Sequence, residues 1–148
     1  MRVVLQRVRE AGVSIGGSAG DVEIARIGPG LLVLVGFAGG ELDEDLAWVA
    51  EKVLGLRVFG PSGGFDRSVM EIGGEILVVS QFTLLAGLQK GRRPDFAAAA
   101  AADAARPLYE GLVSRMRERH PAVFEGRFGA EMRVRLVNDG PATFVLDR

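Results

Sequence analysis

Glu75-Ile76-Leu77-Val78-Val79-Ser80-Gln81-Phe82-Thr83-Leu84-Leu85 changes character half-way along. Ile76 to Val79 is the aliphatic, mostly β-branched run expected of a strand buried on both faces. Ser80, Gln81 and Thr83 then interrupt it with polar side chains. Burying a hydroxyl or an amide without a partner costs roughly 1 to 3 kcal/mol. These three groups are therefore either hydrogen-bonded structurally or presented at the strand's end to something that binds there.

On the N-terminal side, Arg2 to Val8, Val13 to Ile15, Val22 to Ile27 and Leu31 to Gly36 have strand composition. The glycine-rich Gly16 to Gly20 and Gly28-Pro29-Gly30 mark turns between them. Asp43 is a suitable helix cap. Leu46, Val49, Ala50, Val53 and Leu54 then repeat at helical spacing up to Gly55, which gives a helix with one apolar stripe. Leu56 to Phe59 reads as a short strand.

On the C-terminal side, Ala86 to Pro94 is a loop. Ala97 to Ala102 has high helix propensity, and a longer helix is expected from Asp103 to His120-Pro121, with Pro107 in its first turn. Glu131 to Val137 and Ala142 to Asp147 alternate in polarity around Asn138-Asp139-Gly140-Pro141, the pattern of a hairpin. Strands at both ends with two main helices between them predict an α+β fold with a mainly antiparallel, strongly curled or barrel-like sheet, a single domain over residues 1–148.

Composition narrows the function. The chain has 148 residues, 48% of them hydrophobic, with 21 glycines and a net charge of −1. It is large enough for one core. The charge balance argues against coating nucleic acid by bulk electrostatics, though not against a local basic patch. With no cysteine, disulfides, thiolate metal sites and cysteine nucleophiles are excluded. No signal peptide or membrane span is legible, so the expected location is cytoplasmic.

The single histidine, His120, precedes a proline at a helix end. There it complements the helix dipole or is solvated, and no Ser-His-acid triad can be built. Glu41, Asp43, Glu44 and Asp45 are explained by the helix start they occupy, so no metal site is expected. No glycine-rich phosphate loop is present, and no cofactor is expected. Lys90, Arg92 and Arg93 form a cationic cluster suited to a phosphate backbone. Gly140-Pro141 is set apart from the other Gly-Pro pairs by its Asn-Asp context. A cis proline there would aim two carbonyl oxygens the same way.

Ser80-Gln81-Phe82-Thr83-Leu84 together with Asn138-Asp139-Gly140-Pro141-Ala142-Thr143 closely resembles the two signature motifs of the D-aminoacyl-tRNA deacylases. The resemblance extends through Gln6-Arg7-Val8, Gly30 to Leu34, Gly91 to Pro94 and Gly126-Arg127-Phe128. It implies a homodimeric editing enzyme that hydrolyses the ester between a D-amino acid, or glycine, and the terminal adenosine of tRNA. It further implies that the Ser80, Gln81, Thr83 region meets the ester, with Phe82 in the substrate pocket. Gly140 and Pro141, in cis, would reach into the partner's pocket and exclude L-amino acids, with Arg7 holding them. Main-chain donors and the adenosine 2′-hydroxyl suffice for an activated ester. Thr83 is open to two roles, nucleophile or positioning group, and the lack of a base nearby in sequence favours positioning.

Two departures from the family pattern stand out: Ala142 where valine is frequent, and Gly64-Phe65-Asp66-Arg67-Ser68. The latter puts the holding of the nucleotide in question if that loop borders the pocket. A related deacylase that edits L-alanine begins its strand motif with proline, against Ser80 here. A non-catalytic RNA-binding module would leave the polar interruption of the central strand unexplained.

Overall fold

The computed structural model describes residues 1–17 and 20–148. Six strands and two long helices follow in the order β1 (Arg2–Gly17), β2 (Gly20–Ile27), β3 (Gly30–Gly36), α1 (Asp43–Gly55), β4 (Glu75–Ser80), α2 (Ala102–Arg119), β5 (Val123–Glu125) and β6 (Met132–Asp147). The sheet is mixed. β1 runs antiparallel to β2, β3 and β6, whereas β3–β4 and β4–β5 are parallel.

The expected burial of Ile76 to Val79 on both faces is met. Ile76 and Val78 pack into a core shared with Leu31, Val33 and both helices. Leu77 and Val79 face a second cluster with Leu32, Val8 and Ile27. Strand β2 closes over this second cluster against β4 and β5, which gives the sheet its barrel-like curl.

Strand β1 does not break at Glu10-Ala11-Gly12, so two of the expected strands are one. Its first half pairs with β3 (Arg2↔Gly36 to Val8↔Gly30) and its second with β2 (Ala11↔Ile27 to Gly17↔Gly20). Register shifts against β6 between Gln6 and Val8 and between Val8 and Glu10 mark where it bends from one core to the other. The centre of the expected Gly16–Gly20 turn, Ser18 and Ala19, lies outside the described residues.

The C-terminal hairpin is not formed. β6 runs without reversal along the whole of β1, from Met132↔Ile15 to Asp147↔Arg2. Asn138 to Pro141 is a bulge within it. Alternation reports which face a side chain takes, not whether the chain has turned.

Other boundaries also differ. Leu56 to Phe59 contributes only an isolated bridge, Phe59↔Arg67. Leu42, not Asp43, caps α1, with the Asp45 carboxylate accepting its N–H at 2.8 Å. Ala97 to Ala102 does not form a helical piece: the Ala100 N–H donates to the Phe37 carbonyl at 2.8 Å, and this tertiary bond overrides propensity. Because α2 starts at Ala102, Pro107 sits inside the helix, beyond its first turn.

Candidate active site

The parallel strands β3 and β4 end side by side, with Val35 opposite Ser80. Beyond them opens a cavity of about 680 Å³. Ser80, Gln81 and Phe82 line one wall, and the start of α2 and Phe128 to Met132 line the other. The interruption of the buried strand is thus an exit from the core into a cavity. Phe128 is backed by Tyr109, with ring centroids 5.6 Å apart. The Tyr109 hydroxyl donates to the Val78 carbonyl at 3.0 Å, and burial pushes its pKa up.

The chain does not continue as a strand past Ser80. The Gln81 N–H donates to Val35 at 2.7 Å, and Phe82–Leu85 then turns as a 3-10 helix. The Leu84 N–H returns to the Gln81 carbonyl at 3.3 Å. Among the described residues, the Phe82 and Thr83 N–H groups at the head of this turn have no protein acceptor, as the first donors of any helix lack one.

Gly36 is what lets the turn sit there. A Cβ on it would lie 2.7 Å from the Gln81 carbonyl oxygen and 2.5 Å from Leu85 Cδ2. The hydroxyl of Thr83 accepts from the Gln81 amide. Thr83 is exposed and does not line the cavity. The one ionisable side chain in the lining, Glu131, was not singled out by the sequence reading.

Arg7, Gly140 and Pro141 come together, but elsewhere. Arg7 is buried, 5% exposed. It donates to the Asp139 carbonyl at 3.0 Å and to the Val58 carbonyl at 2.6 Å. Asn138 closes the bulge: its Oδ1 accepts the Ala142 N–H at 3.0 Å, and its amide donates to Arg7 O and Ala142 O. Gly140-Pro141 is a cis peptide and Gly140 has φ +131°, where a Cβ would meet Arg7 Nη2 at 2.9 Å.

This motif lies beside Leu31, which Arg7 faces across the ladder, whereas the cavity opens beside Val35. Four residues of strand, about 13 Å, separate the two. The loop Gly64 to Ser68 borders the Gly140 motif and not the cavity. Phe65 lies under the Arg7 guanidinium, 5.9 Å from it, and against Phe144. Reciprocal hydrogen bonds between Ser68 and Glu71 anchor the loop and hold the Glu71 carboxyl below its usual range.

Lys90, Arg92 and Arg93 are exposed on a loop pinned at its base by Gly87 and Asp95, at 2.7 and 3.0 Å. His120 is neither solvated nor placed for chemistry. It is buried, with Nε2 2.7 Å from the Gly74 carbonyl.

A family model described as D-Tyr-tRNA(Tyr) deacylase matches residues 4–147. The chain belongs to this deacylase family. A protein of Syntrophotalea carbinolica named D-aminoacyl-tRNA deacylase is 53% identical over 149 residues, covering 99% of this chain and 97% of its own. One of Chlorobaculum parvum with the same name is 48% identical over equal shares. A solved structure titled c-Myc DNA Unwinding Element Binding Protein superposes with a TM-score of 0.91 at 38% identity, covering 100% of this chain and 99% of that one. Another, titled as a probable eukaryotic D-amino acid tRNA deacylase, has a TM-score of 0.85 at 21% identity and covers 99% and 98%, which speaks for the fold alone.

Proposed function

We propose that this chain hydrolyses the ester between a D-amino acid and the 3′-terminal adenosine of tRNA, accepts glycyl-tRNA, and rejects L-aminoacyl esters. The observation that carries the reading is the cavity at the end of β4, with Phe82 in its wall and, beside it at the head of the turn, the Phe82 and Thr83 N–H groups without acceptors. Family membership and the names of the relatives, which match over nearly their whole length, support the substrate class.

In this reading the ester carbonyl oxygen lies against those two N–H groups. Water attacks the carbonyl carbon, and the negative charge that develops on oxygen is met by fixed donors rather than by reorganising solvent. The C–O bond to the ribose 3′-oxygen then breaks. The neighbouring 2′-hydroxyl relays the proton from the attacking water to the leaving oxygen, so free amino acid and tRNA are released. Ser80 and Gln81 shape the wall, and Phe82 bounds the substrate. Thr83, held by Gln81, positions the turn, and its exposure outside the cavity favours that role over a nucleophile's.

Chiral selection is assigned to Gly140 and Pro141 of a second copy. Their distance from the cavity within one chain supports supply from a partner. So does the exposed apolar surface of the edge strand β6 at Leu136, Val137 and Val145, which an unpaired edge would leave as an aggregation liability. Their carbonyls accept the substrate ammonium and leave no room for an L side chain. Arg7 holds the motif, and the Lys90, Arg92, Arg93 loop contacts the tRNA backbone. The expected place of work is the cytoplasm.

Co-expression of a Gly36→Ala chain with a Gly140→Ala chain tests this arrangement. Mixed dimers contain one cavity with both the turn and the facing motif unaltered, so D-selective hydrolysis should return to about half that of the unaltered protein. No recovery in purified mixed dimers contradicts the cross-subunit arrangement.

A further inference from the structure

The Phe82 ring is 56% exposed although it belongs to the cavity wall. It meets the Phe96 ring, itself 39% exposed, at a centroid distance of 5.0 Å and an interplanar angle of 62°. Leu88, 70% exposed, lies on the same loop system. Phe82 and Phe96 flank a loop that the Gly87–Asp95 bridge closes, and that loop carries Lys90, Arg92 and Arg93. Among the described residues none of these three cations forms an ion pair, whereas most other arginines of the chain do.

Exposed aromatic faces beside unpaired cations at the mouth of a cavity are the combination by which proteins hold single-stranded nucleic acid. Bases stack on the rings and phosphates meet the cations. A purely apolar protein partner would instead have to desolvate three unpaired charges. We infer that Phe96, together with Phe82, is a stacking platform for the unpaired nucleotides that immediately precede the terminal adenosine of the substrate, with Lys90, Arg92 and Arg93 on their phosphates. The inference rests on the deacylase reading above and adds a binding subsite outside the cavity. It assigns recognition to the RNA strand itself, independent of the amino acid carried.

The test compares two substrates, D-tyrosyl-tRNA and D-tyrosyl-adenosine, which lacks every preceding nucleotide. Phe96→Leu keeps apolar bulk but removes the ring. It should raise KM for D-tyrosyl-tRNA about 10-fold, within the range of roughly 5 to 150-fold that loss of one stacked base allows. It should leave kcat unchanged and D-tyrosyl-adenosine unaffected. Equal effects on both substrates, or none on the tRNA, overturn the platform.

A second arm reads binding of an uncharged single-stranded RNA trinucleotide by fluorescence anisotropy and needs no catalysis. There Phe96→Leu should weaken binding by a similar factor. Replacing Lys90, Arg92 and Arg93 by alanine should reduce the slope of log affinity against log salt by about 1.4, at roughly 0.7 for each of the two phosphates of the trinucleotide. If the unaltered protein cleaves neither ester but this arm behaves as stated, the deacylase reading fails and the platform stands. Unchanged RNA affinity in the variant, with an altered oligomeric mass, assigns the patch to a protein contact and overturns the inference.

Discussion

Gly36→Ala should damage catalysis by displacing the turn at the cavity wall, without removing any hydrogen-bonding group. The added methyl meets two atoms. Leu85 Cδ2 at 2.5 Å is the tip of a flexible side chain and can rotate away, whereas the Gln81 oxygen at 2.7 Å is backbone. Ordinary contact begins at 3.4 Å, so that carbonyl must retreat by about 0.7 Å or β3 must part from the turn. Neither movement is free. Gln81 is tied to Val35 through its own N–H at 2.7 Å, and its carbonyl holds the Leu84 N–H.

The displacement is therefore passed to the turn that carries the Phe82 and Thr83 N–H groups. Loss of one such donor costs about 10² to 10³ in rate. A shift of a few tenths of an ångström in two donors should cost about 10 to 100-fold in kcat, with little change in KM. Overpacking should lower stability by about 1 to 3 kcal/mol. Single-turnover hydrolysis of D-tyrosyl-tRNA at saturating enzyme reads the first effect, and a urea melt reads the second. An alanine variant that folds stably and retains full single-turnover rate would refute the role given to the turn.

Arg7→Met leaves the Asp139 and Val58 carbonyls without their donor. Stability should fall by roughly 2 to 3 kcal/mol, and discrimination against L-tyrosyl-tRNA should weaken more than the rate on the D-ester, read from paired deacylation time courses. His120→Ala removes a buried bond to Gly74 and should cost about 1 to 3 kcal/mol, yet leave kcat within about 2-fold, because no catalytic role falls to the one histidine. Tyr109→Phe should cost about 1 kcal/mol through the lost bond to Val78. Burial raises the Tyr109 pKa above its ordinary value near 10. Its contribution is then fully present below pH ~10 and is lost as pH rises beyond that, so chemical melts of the two proteins should differ at pH 7 and converge in strong alkali.

The residues that could be read from sequence were those whose neighbours are local or whose chemistry contradicts their setting. The two apolar strands β3 and β4 and the stripe of α1 follow from composition and period. Ser80 and Gln81 stood out because polar groups do not belong in a buried run, and the cavity is what resolves the contradiction. What stayed hidden depends on distant partners. β6 looked like a hairpin because Asn-Asp-Gly-Pro is a turn signal. Only the ladder to β1 on both sides shows that it bulges and continues.

Ala97 to Ala102 has helical composition, but the Ala100 N–H is taken by the carbonyl of Phe37, far away in sequence. β5 is three residues long and carries no period to read. Thr83 belongs to the motif, but a turn rather than a strand follows Ser80, which takes its side chain out of the cavity. Gly36 read as the end of a strand, and nothing local reveals that the Gln81 carbonyl lies where a Cβ would go. Phe96 likewise gains its meaning only from the ring of Phe82 beside it.

The central claim is that the cavity beyond β4 cleaves D- but not L-aminoacyl esters, and parallel deacylation of D-tyrosyl-tRNA and L-tyrosyl-tRNA by the unaltered protein tests it most directly. Release of tyrosine from the D-ester, with the L-ester decaying no faster than in buffer, is the predicted result. Equal rates on the two esters, or no acceleration of either, would contradict the account.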